Sequence, residues 1–383
     1  MRHVFIIGSK GIPAAYGGFE TFVDDLVTGK KSKDIKYHVA CMGDKAAEGE
    51  YNGAHTFTIK VPNIGPAKAV WYDLAAYNYC LKYIKKHNLK DSIIYILACR
   101  IGPFAAYLND KMRRLSGKVY LNPDGHEWLR AKWNFAIKKY WKFSEKLMVK
   151  NADFVICDSK NIEKYIKEEY KKYSPSTCYI AYGAKKTDMS NADDSKYTTW
   201  CDKNGVAEKG YYLIVGRFVP ENNYETMIRE FMASNTKKSL VIVTNVEKND
   251  FYEKLKTTTN FEKDARIKFV GTVYDRELLG AIRERAFAYL HGHEVGGTNP
   301  SLLEALCLTD LNLLLNVGFN REVGEDAALY FDKKEGSLRS LIEDVEKLDD
   351  EEIKRYGKLA DQRIEKAYST EFINDSYEKV FLA

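Results

Sequence analysis

Short apolar runs alternate along the chain with longer stretches whose apolar residues recur every three or four positions. Runs at 4–7, 37–41, 57–61, 93–99, 119–122, 154–157 and 178–181 read as strands. Helical stretches separate most of them, which predicts a parallel, doubly wound sheet. A second series follows at 211–216, 240–243, 267–270, 286–290 and 311–317. Between the series the chain turns polar, as in Lys186-Thr187-Asp188-Met189-Ser190-Asn191. The expected organisation is therefore α/β: a first Rossmann-like domain over 1–185, a linker over 186–210 and a second Rossmann-like domain over 211–365. The two would face a cleft. A last helix over 366–383 carries Phe372, Tyr377 and Phe381 for docking back on the first domain.

The length of 383 residues agrees with two such domains. No apolar run is long enough to span a bilayer. The start, Met1 to Gly8, passes from a short strand straight into a glycine loop and does not read as a secretory signal. Seven scattered cysteines, without a Cys-x-x-Cys pair, read as reduced residues of a cytoplasmic protein, with Cys41, Cys99 and Cys157 in apolar runs. The net charge of +5 matters less than where the charges lie.

The chemistry gathers where strands end. Gly296-Gly297-Thr298-Asn299-Pro300-Ser301-Leu302-Leu303-Glu304-Ala305 joins a buried strand to a helix. Asn299 is a good N-cap and Pro300 suits the first helical position. Gly296 and Gly297 allow close backbone approach to a ligand. The free N–H groups and the helix dipole suit a phosphate or sugar diphosphate. Glu304, one turn in, is either a ligand-gripping carboxylate or an ordinary helix glutamate. A similar joint follows the strand at 211–216, where Arg217 offers a donor fork to a diphosphate and Asn222 and Asn223 would cap the next helix.

In the first domain, Gly8 opens a glycine-rich loop that runs through Ala14, Ala15 and Tyr16 to Gly17, Gly18, Phe19 and Glu20. It is neither Gly-x-Gly-x-x-Gly nor a P-loop, which argues against a dinucleotide or Walker-type site. Gly17 and Gly18 start a helix with Phe19, Phe22, Val23 and Leu26 on one face; they either hold an anion or make a tight turn. Asn122-Pro123-Asp124-Gly125-His126-Glu127-Trp128 crowds Asp124, His126 and Glu127 at another strand end, as a polyol-binding or acid–base cluster would. Residues 130–150 then interleave Arg130, Lys132, Lys138, Lys139, Lys142, Lys146 and Lys150 with aromatics, Glu145 being the one acid. This suits a helix on an anionic membrane; nucleic-acid binding and a merely solvated basic face are the rivals.

These residues resemble a retaining glycosyltransferase of the two-Rossmann-domain (GT-B) architecture, similar to glycosyltransferase family 4, over essentially the whole chain. Within it, residues 296–305, 8–21 and 122–128 most resemble bacterial rhamnosyltransferases of capsule and cell-wall polysaccharide assembly. The resemblance implies dTDP-L-rhamnose as donor and a sugar on undecaprenyl diphosphate as acceptor, at the cytoplasmic face of the membrane and without nucleic acid. It implies front-face transfer with retention, no metal and no cofactor. Arg217 would hold the diphosphate, Glu304 the deoxyribose, Gly18 would approach the phosphates across the cleft, and His126 would lie near the transferred sugar. Arg217, His126 and Glu127 are then the catalytic candidates. Gly18, Arg217, Asn222, Gly297, Thr298, Asn299, Ser301 and Glu304 would bind donor; Gly17, Asp124, His126 and Glu127 would bind acceptor. The chain departs from the family twice. Gly296 stands where the first of two glutamates is usual, and Asn222 stands near the place of a usual lysine. A 6-deoxy sugar has one hydroxyl fewer to satisfy, in keeping with the first departure.

Two further points bear on metal. No Asp-x-Asp occurs, and a Mg²⁺-dependent diphosphate site would normally need a carboxylate on the ion. His291 and His293 share a strand face without a third zinc ligand and read as turn or core residues. Another nucleotide-sugar hexosyltransferase, a sugar-phosphate phosphorylase, an epimerase, or a non-catalytic nucleotide-sugar or polysaccharide-binding module would use similar groups.

Overall fold

The computed structural model describes residues 1–14, 17–186, 194–246 and 248–383, with Pro66 by its backbone alone. Residues 187–193, the polar heart of the expected linker, and Ala15 and Tyr16 of the glycine loop lie outside the described residues. The chain divides into two compact units, one made of residues 1–183, 296–298 and 370–383, the other of 184–295 and 299–369.

The first unit holds an eight-stranded sheet. Its strands are β1 (Arg2–Ile7), β2 (Ile35–Gly43), β3 (Ala47–Tyr51), β4 (Ala54–Lys60), β5 (Ile93–Leu97), β6 (Lys118–Asn122), β7 (Phe154–Cys157) and β8 (Thr177–Tyr179). The order is β3-β4-β2-β1-β5-β6-β7-β8, parallel except for the β3–β4 hairpin. Strands buried on both faces need apolar residues at successive positions, and Val4 to Ile7 and Ile93 to Leu97 supply them. On one face Phe5 and Ile7 meet Tyr72, Ala76, Tyr77 and Cys80 of the helix Lys68–Lys86. On the other, the helix Gly18–Thr28 buries Phe22, Val23 and Leu26, while Phe19 stays partly exposed. The last helix, Thr370–Leu382, belongs to this unit. Its Tyr377 packs on Phe22 at 5.0 Å between ring centres and its hydroxyl lies 3.1 Å from that of Tyr95. Phe381 is buried as well, whereas Phe372 faces solvent.

The second unit holds β9 (Tyr211–Val215), β10 (Ser239–Val243), β11 (Ile267–Gly271), β12 (Ala288–His291), β13 (Asn312–Leu315) and β14 (Leu329–Phe331). All six are parallel, in the order β11-β10-β9-β12-β13-β14. The winding reverses between β9 and β12, and in the first unit between β1 and β5. Open α/β sheets leave a ligand crevice at the carboxyl ends of such strands.

Three elements depart from the sequence pattern. β3 reads Ala-Glu-Gly-Glu-Tyr and lacks alternation because both its faces are largely exposed; it is held by a turn at Asn52 and Gly53, each with positive φ. β14 has only three residues, too few for a period. The segment 186–210 contains a helix, Asp194–Asn204, which buries Tyr197, Trp200 and Cys201, so that part is packed structure rather than linker. The cysteines are all free, with Cys99 and Cys157 buried and Cys41 partly exposed.

A chain of imidazoles crosses the first sheet. His3 Nδ1 lies 2.9 Å from His38 Nε2, and His38 Nδ1 lies 3.0 Å from His55 Nδ1. Burial, then the neighbouring imidazoles, pushes His38 down to about 2; burial also lowers His3 and His55, the latter against the pull of Glu48. The unfolded chain takes up these protons below about pH 6.5, while the folded chain does not. The stability of this region is therefore complete above that pH and is lost as pH falls below it. Hydrogen exchange in β1, β2 and β4, corrected for intrinsic rates, is expected to report weaker protection at pH 5 than at pH 7. His38→Gln should flatten the dependence.

Candidate functional site

In the second unit, the loops leaving β9 and β12 are laced together. Asn222 donates through Nδ2 to the Arg217 carbonyl at 2.8 Å, and its Oδ1 lies 2.7 Å from His293 Nδ1. Asn223 donates to the Gly292 carbonyl at 2.8 Å, and the Glu294 N–H donates to the Glu221 carbonyl at 3.1 Å. Gly292 leaves room for this contact: a Cβ there would fall 2.4 Å from the Asn222 carbonyl oxygen. Neither asparagine side chain caps the helix Tyr224–Ala233, contrary to the sequence expectation. Both amides serve the loop-to-loop link instead, so Asn222 is not a spare donor.

This lacing leaves Arg217 exposed. Among the described residues its guanidinium has no carboxylate partner. Below it, a buried polar layer joins β9 to the helix Pro300–Leu308. Tyr289 donates to the Val215 carbonyl at 3.1 Å, Ser301 Oγ to the same carbonyl at 3.2 Å, and Arg283 reaches Ser301 Oγ at 3.4 Å. Ser301, expected on the donor, thus spends its hydroxyl on the scaffold. Arg283 is nearly fully buried and pairs with Glu304 at 2.5 Å, while Glu304 stays 43% exposed. The carboxylate is held from behind and remains open to a ligand. Asn299 caps the helix through Ser301 N–H at 2.9 Å, with Pro300 at the start, as the sequence pattern required. Gly296, Gly297 and Thr298 belong to the first compact unit, where Thr298 Oγ1 donates to the Asp158 carbonyl. That hydroxyl is already engaged.

His291 is buried and pushed down to about 3 by burial, a neutral core imidazole. Glu294, the acid nearest the place of the missing glutamate, pairs with Lys333. Among the described residues no group of three or more His, Cys, Asp or Glu is arranged to hold a metal ion.

In the first unit, the β1 and β5 ends carry a buried ion pair that the sequence reading missed. Arg100 Nη1 contacts Asp73 at 3.1 Å and donates to the Gly8 carbonyl at 2.8 Å. Burial pushes the Asp73 carboxyl up, against the opposing pull of Arg100. The signal was a single charge directly after an apolar strand. The glycine loop is pinned by acids of the helix that follows: Glu20 accepts from Lys10 N–H at 2.7 Å and Asp24 from Ala14 N–H at 2.7 Å. The Glu20 carboxylate also lies against Gly17 at this helix start, where Gly17 and Gly18 were expected to hold a ligand's anion.

Asp124 and His126 both have positive φ, forming a sharp turn after β6. Asp124 Oδ1 accepts from Gly125 N–H at 2.8 Å. The His126 ring sits edge-on to Tyr165 at 4.4 Å, and burial, then Lys142, lowers its basicity. Glu127 differs from the catalytic expectation. Its carboxylate pairs with Arg130, with Lys132 at 2.9 Å, and accepts from Trp133 Nε1 at 2.9 Å. Burial pushes Glu127 up, but Arg130 and then Lys132 outweigh it and hold it below the usual carboxylate range. It is a clamp on the turn rather than a spare base.

The basic segment is a helix, Phe135–Asn151, capped by Asn134. Its charges divide. Arg130 and Lys132 serve Glu127, and Lys142 pairs with Glu169 at 3.0 Å and lies 4.7 Å above the Trp128 ring. Buried Glu145 accepts from Tyr165 and Tyr170. Lys138, Lys139, Lys146 and Lys150 remain, with Phe135 and Phe143 exposed at 72% and 51% and Lys139 4.4 Å over the Phe135 ring. Among the described residues no helix is long and apolar enough to cross a membrane.

Comparison with known proteins agrees with this architecture. A family model described as a domain of unknown function (DUF1972) matches residues 1–185. No curated protein matches the sequence. Among solved structures, sucrose-phosphate synthase from Thermosynechococcus elongatus is similar with a TM-score of 0.75 at 16% identity, covering 99% of this chain and 98% of that one. HepE from Anabaena in complex with UDP gives 0.70 at 14%, covering 99% of each. A UDP-forming α,α-trehalose-phosphate synthase from Burkholderia xenovorans, in complex with glucose-6-phosphate, gives 0.74 at 12%, covering 100% of each. At such identities the likeness is one of fold. The chain has the GT-B fold class, two parallel-sheet Rossmann-like units.

Removing a partner from a buried ion pair typically costs about 3–5 kcal/mol. Glu127→Ala, which removes the carboxylate shared by Arg130, Lys132 and Trp133, is therefore expected to lower the stability of the first unit by roughly 3 kcal/mol in urea unfolding. A fully stable variant would return Glu127 to the list of catalytic groups.

Proposed function

We propose that the chain is a retaining glycosyltransferase, similar to glycosyltransferase family 4, that transfers L-rhamnose from dTDP-L-rhamnose to a sugar on undecaprenyl diphosphate, in capsular or cell-wall polysaccharide synthesis. The observation that carries the reading is Arg217, an exposed guanidinium beside the switch point of the second sheet, with the capped helix Pro300–Leu308 and Glu304 on the adjoining strand connection. Rhamnose and the lipid acceptor come from the resemblance of the strand-end motifs.

In this reading the second unit holds the donor. Arg217 grips the diphosphate and Glu304, steadied by Arg283, accepts from the deoxyribose hydroxyls. The bond from the anomeric carbon to the diphosphate oxygen breaks, and dTDP departs with an added negative charge. Arg217 and the helix N-terminus stabilise that charge as it develops. The acceptor hydroxyl attacks the same face of the sugar, its oxygen forming the new bond to the anomeric carbon while its proton passes to the departing diphosphate oxygen. The first unit takes the acceptor through Asp124, His126 and the backbone at Gly17 and Gly18. A lowered His126 suits hydrogen-bond acceptance from a sugar hydroxyl at neutral pH. A uridine-linked donor is the second reading, favoured by UDP in the HepE structure and by the UDP-forming trehalose-phosphate synthase.

We also place the enzyme at the inner face of the cell membrane, attached through residues 130–150. Exposed phenylalanines interleaved with lysines that have no carboxylate partner among the described residues support this, because the rings enter the interface while the cations meet anionic headgroups.

Arg217→Ala should cost on the order of 3 kcal/mol of transition-state stabilisation, read as kcat/KM over a panel of nucleotide sugars. Glu304→Ala should act mainly on KM, since the deoxyribose contact is the same in ground and transition states. Wild-type turnover by Arg217→Ala would refute the donor site, and a preference for UDP-sugars would select the second reading. Lys138→Glu, Lys139→Glu and Lys146→Glu together should weaken binding to anionic liposomes yet spare turnover of a short soluble acceptor. Unchanged liposome binding would reject the membrane face.

A further inference from the structure

Arg100 follows β5, where the winding of the first sheet reverses, and its bonds to the protein use a single nitrogen. Nη1 meets the Gly8 carbonyl at 2.8 Å, Asp73 at 3.1 Å and the Leu97 carbonyl at 3.2 Å. Gly8 is required for this approach, since a Cβ there would lie 2.3 Å from the Leu97 carbonyl oxygen. The backbone is pinned too, with Tyr140 donating to the Arg100 carbonyl at 2.7 Å. A guanidinium carries five N–H donors in one plane, and only those on Nη1 are spent here. Nε and Nη2 have no partner among the described residues, neither nitrogen is sealed from solvent, and the side chain is 18% exposed. Because Nη1 faces the strand-end carbonyls, the Nε–Nη2 edge on the far side of the same plane points away from the sheet. The loop after β6 runs alongside. Cys99 Sγ contacts the Pro123 carbonyl at 3.6 Å, one residue before Arg100 in one loop and one before Asp124 in the other. Asp124 spends Oδ1 on the Gly125 N–H, and its Oδ2 is open among the described residues.

We propose that Arg100 is a specificity-determining residue for the acceptor, forming with Asp124 a subsite that grips adjacent hydroxyls of a neutral sugar. Arg100 donates through Nε and Nη2, and Asp124 accepts. The inference rests on the reading of the first unit as the acceptor side. A forked donor also fits a carboxylate or a phosphate, so charge has to decide between a diol and an anion. Asp73 stands directly behind the guanidinium and is fully buried. Burial lowers the basicity of Arg100, but Asp73, and then Asp124 and Glu127, outweigh it, which places further negative charge around the fork. Glu127 is itself countered by Arg130 and Lys132; Asp73 and Asp124 are not. An anion at the fork would gain one cation and face two carboxylates in a poorly screened place. A diol meets donors and an acceptor together and brings no charge. Held at its backbone and at Nη1, the fork is ordered before the sugar arrives, so little binding energy goes into fixing it.

The test is steady-state transfer to the octyl glycosides of glucose, galactose and N-acetylglucosamine, using the donor that the nucleotide-sugar panel selects. Arg100→Lys keeps a cation for Asp73, but an ammonium has only enough hydrogens for the partners of Nη1 and none for a ligand. It is expected to raise acceptor KM about tenfold, the scale of one charge-assisted hydrogen bond, and to leave donor KM within roughly twofold. In the monodeoxy series of the best glycoside, loss of one hydroxyl should cost the wild type about tenfold and Arg100→Lys almost nothing, because residue and hydroxyl act as a pair. A purely structural arginine would change stability or kcat without that selective loss. The 6-phosphate of the same glycoside should be the poorer acceptor for the wild type, a comparison that needs no variant and decides the matter even where Arg100→Lys does not fold. A preferred phosphate, equal sensitivity of wild type and variant at every deoxy position, or no transfer to any glycoside while the donor still binds would overturn the inference. Failure to bind any nucleotide sugar would instead remove the transferase reading, and this inference with it.

Discussion

The bond between Asn222 and His293 ties together two loops that would otherwise diverge. Parallel strands on either side of a winding reversal send their connections to opposite faces, so nothing in the sheet holds the loop after β9 against the loop after β12. Here side-chain amides do it, with Asn222 and Asn223 each crossing to the other loop. The close approach needs Gly292, since any side chain would collide with the Asn222 carbonyl oxygen. Arg217 stays presented at the surface because the loop behind it is held at both ends. A flexible loop would instead spend binding energy on ordering itself around each ligand.

The two units settle their polar groups differently. In the second, one arginine is buried as a support for Glu304 and another is left at the surface. In the first, acidic residues are largely consumed: Asp73 by Arg100, Glu20 by the glycine loop, Glu127 by Arg130, Lys132 and Trp133. Such internal neutralisation leaves a strand-end surface shaped by turns, hydroxyl-compatible backbone and a weakly basic imidazole.

Much of the fold was legible because buried parallel strands must be apolar at successive positions, and β1, β5, β9 and β10 stand out for that reason. β3 and the helix Asp194–Asn204 were not, since one has no buried face and the other hides its few apolar residues in a polar stretch. The site was legible as far as residue type and strand-end position reach. Arg217, the Asn299 cap and the exposed carboxylate of Glu304 lie where the pattern put them. What one sequence cannot display is which partner a side chain has already taken. Asn222 and His293 meet because β9 and β12 are neighbours, and Arg283 and Glu304 meet because the helices before and after β12, Arg276–Glu284 and Pro300–Leu308, pack together. Glu127 and Lys142 looked available for the same reason and are not.

The helix Thr370–Leu382 carries an implication for how this protein comes into being. Its Tyr377 and Phe381 fill the face of the first sheet beside Phe22, Tyr37 and Tyr95. A ribosome delivers that sheet early and this helix only after the whole of residues 184–369. Domains generally fold as units in order of synthesis, yet here the earlier unit must wait, one face of its sheet uncovered, while the later one is made. Translation thus decides when the first unit closes its core, and the nascent chain exposes aromatic surface for chaperones until this helix emerges.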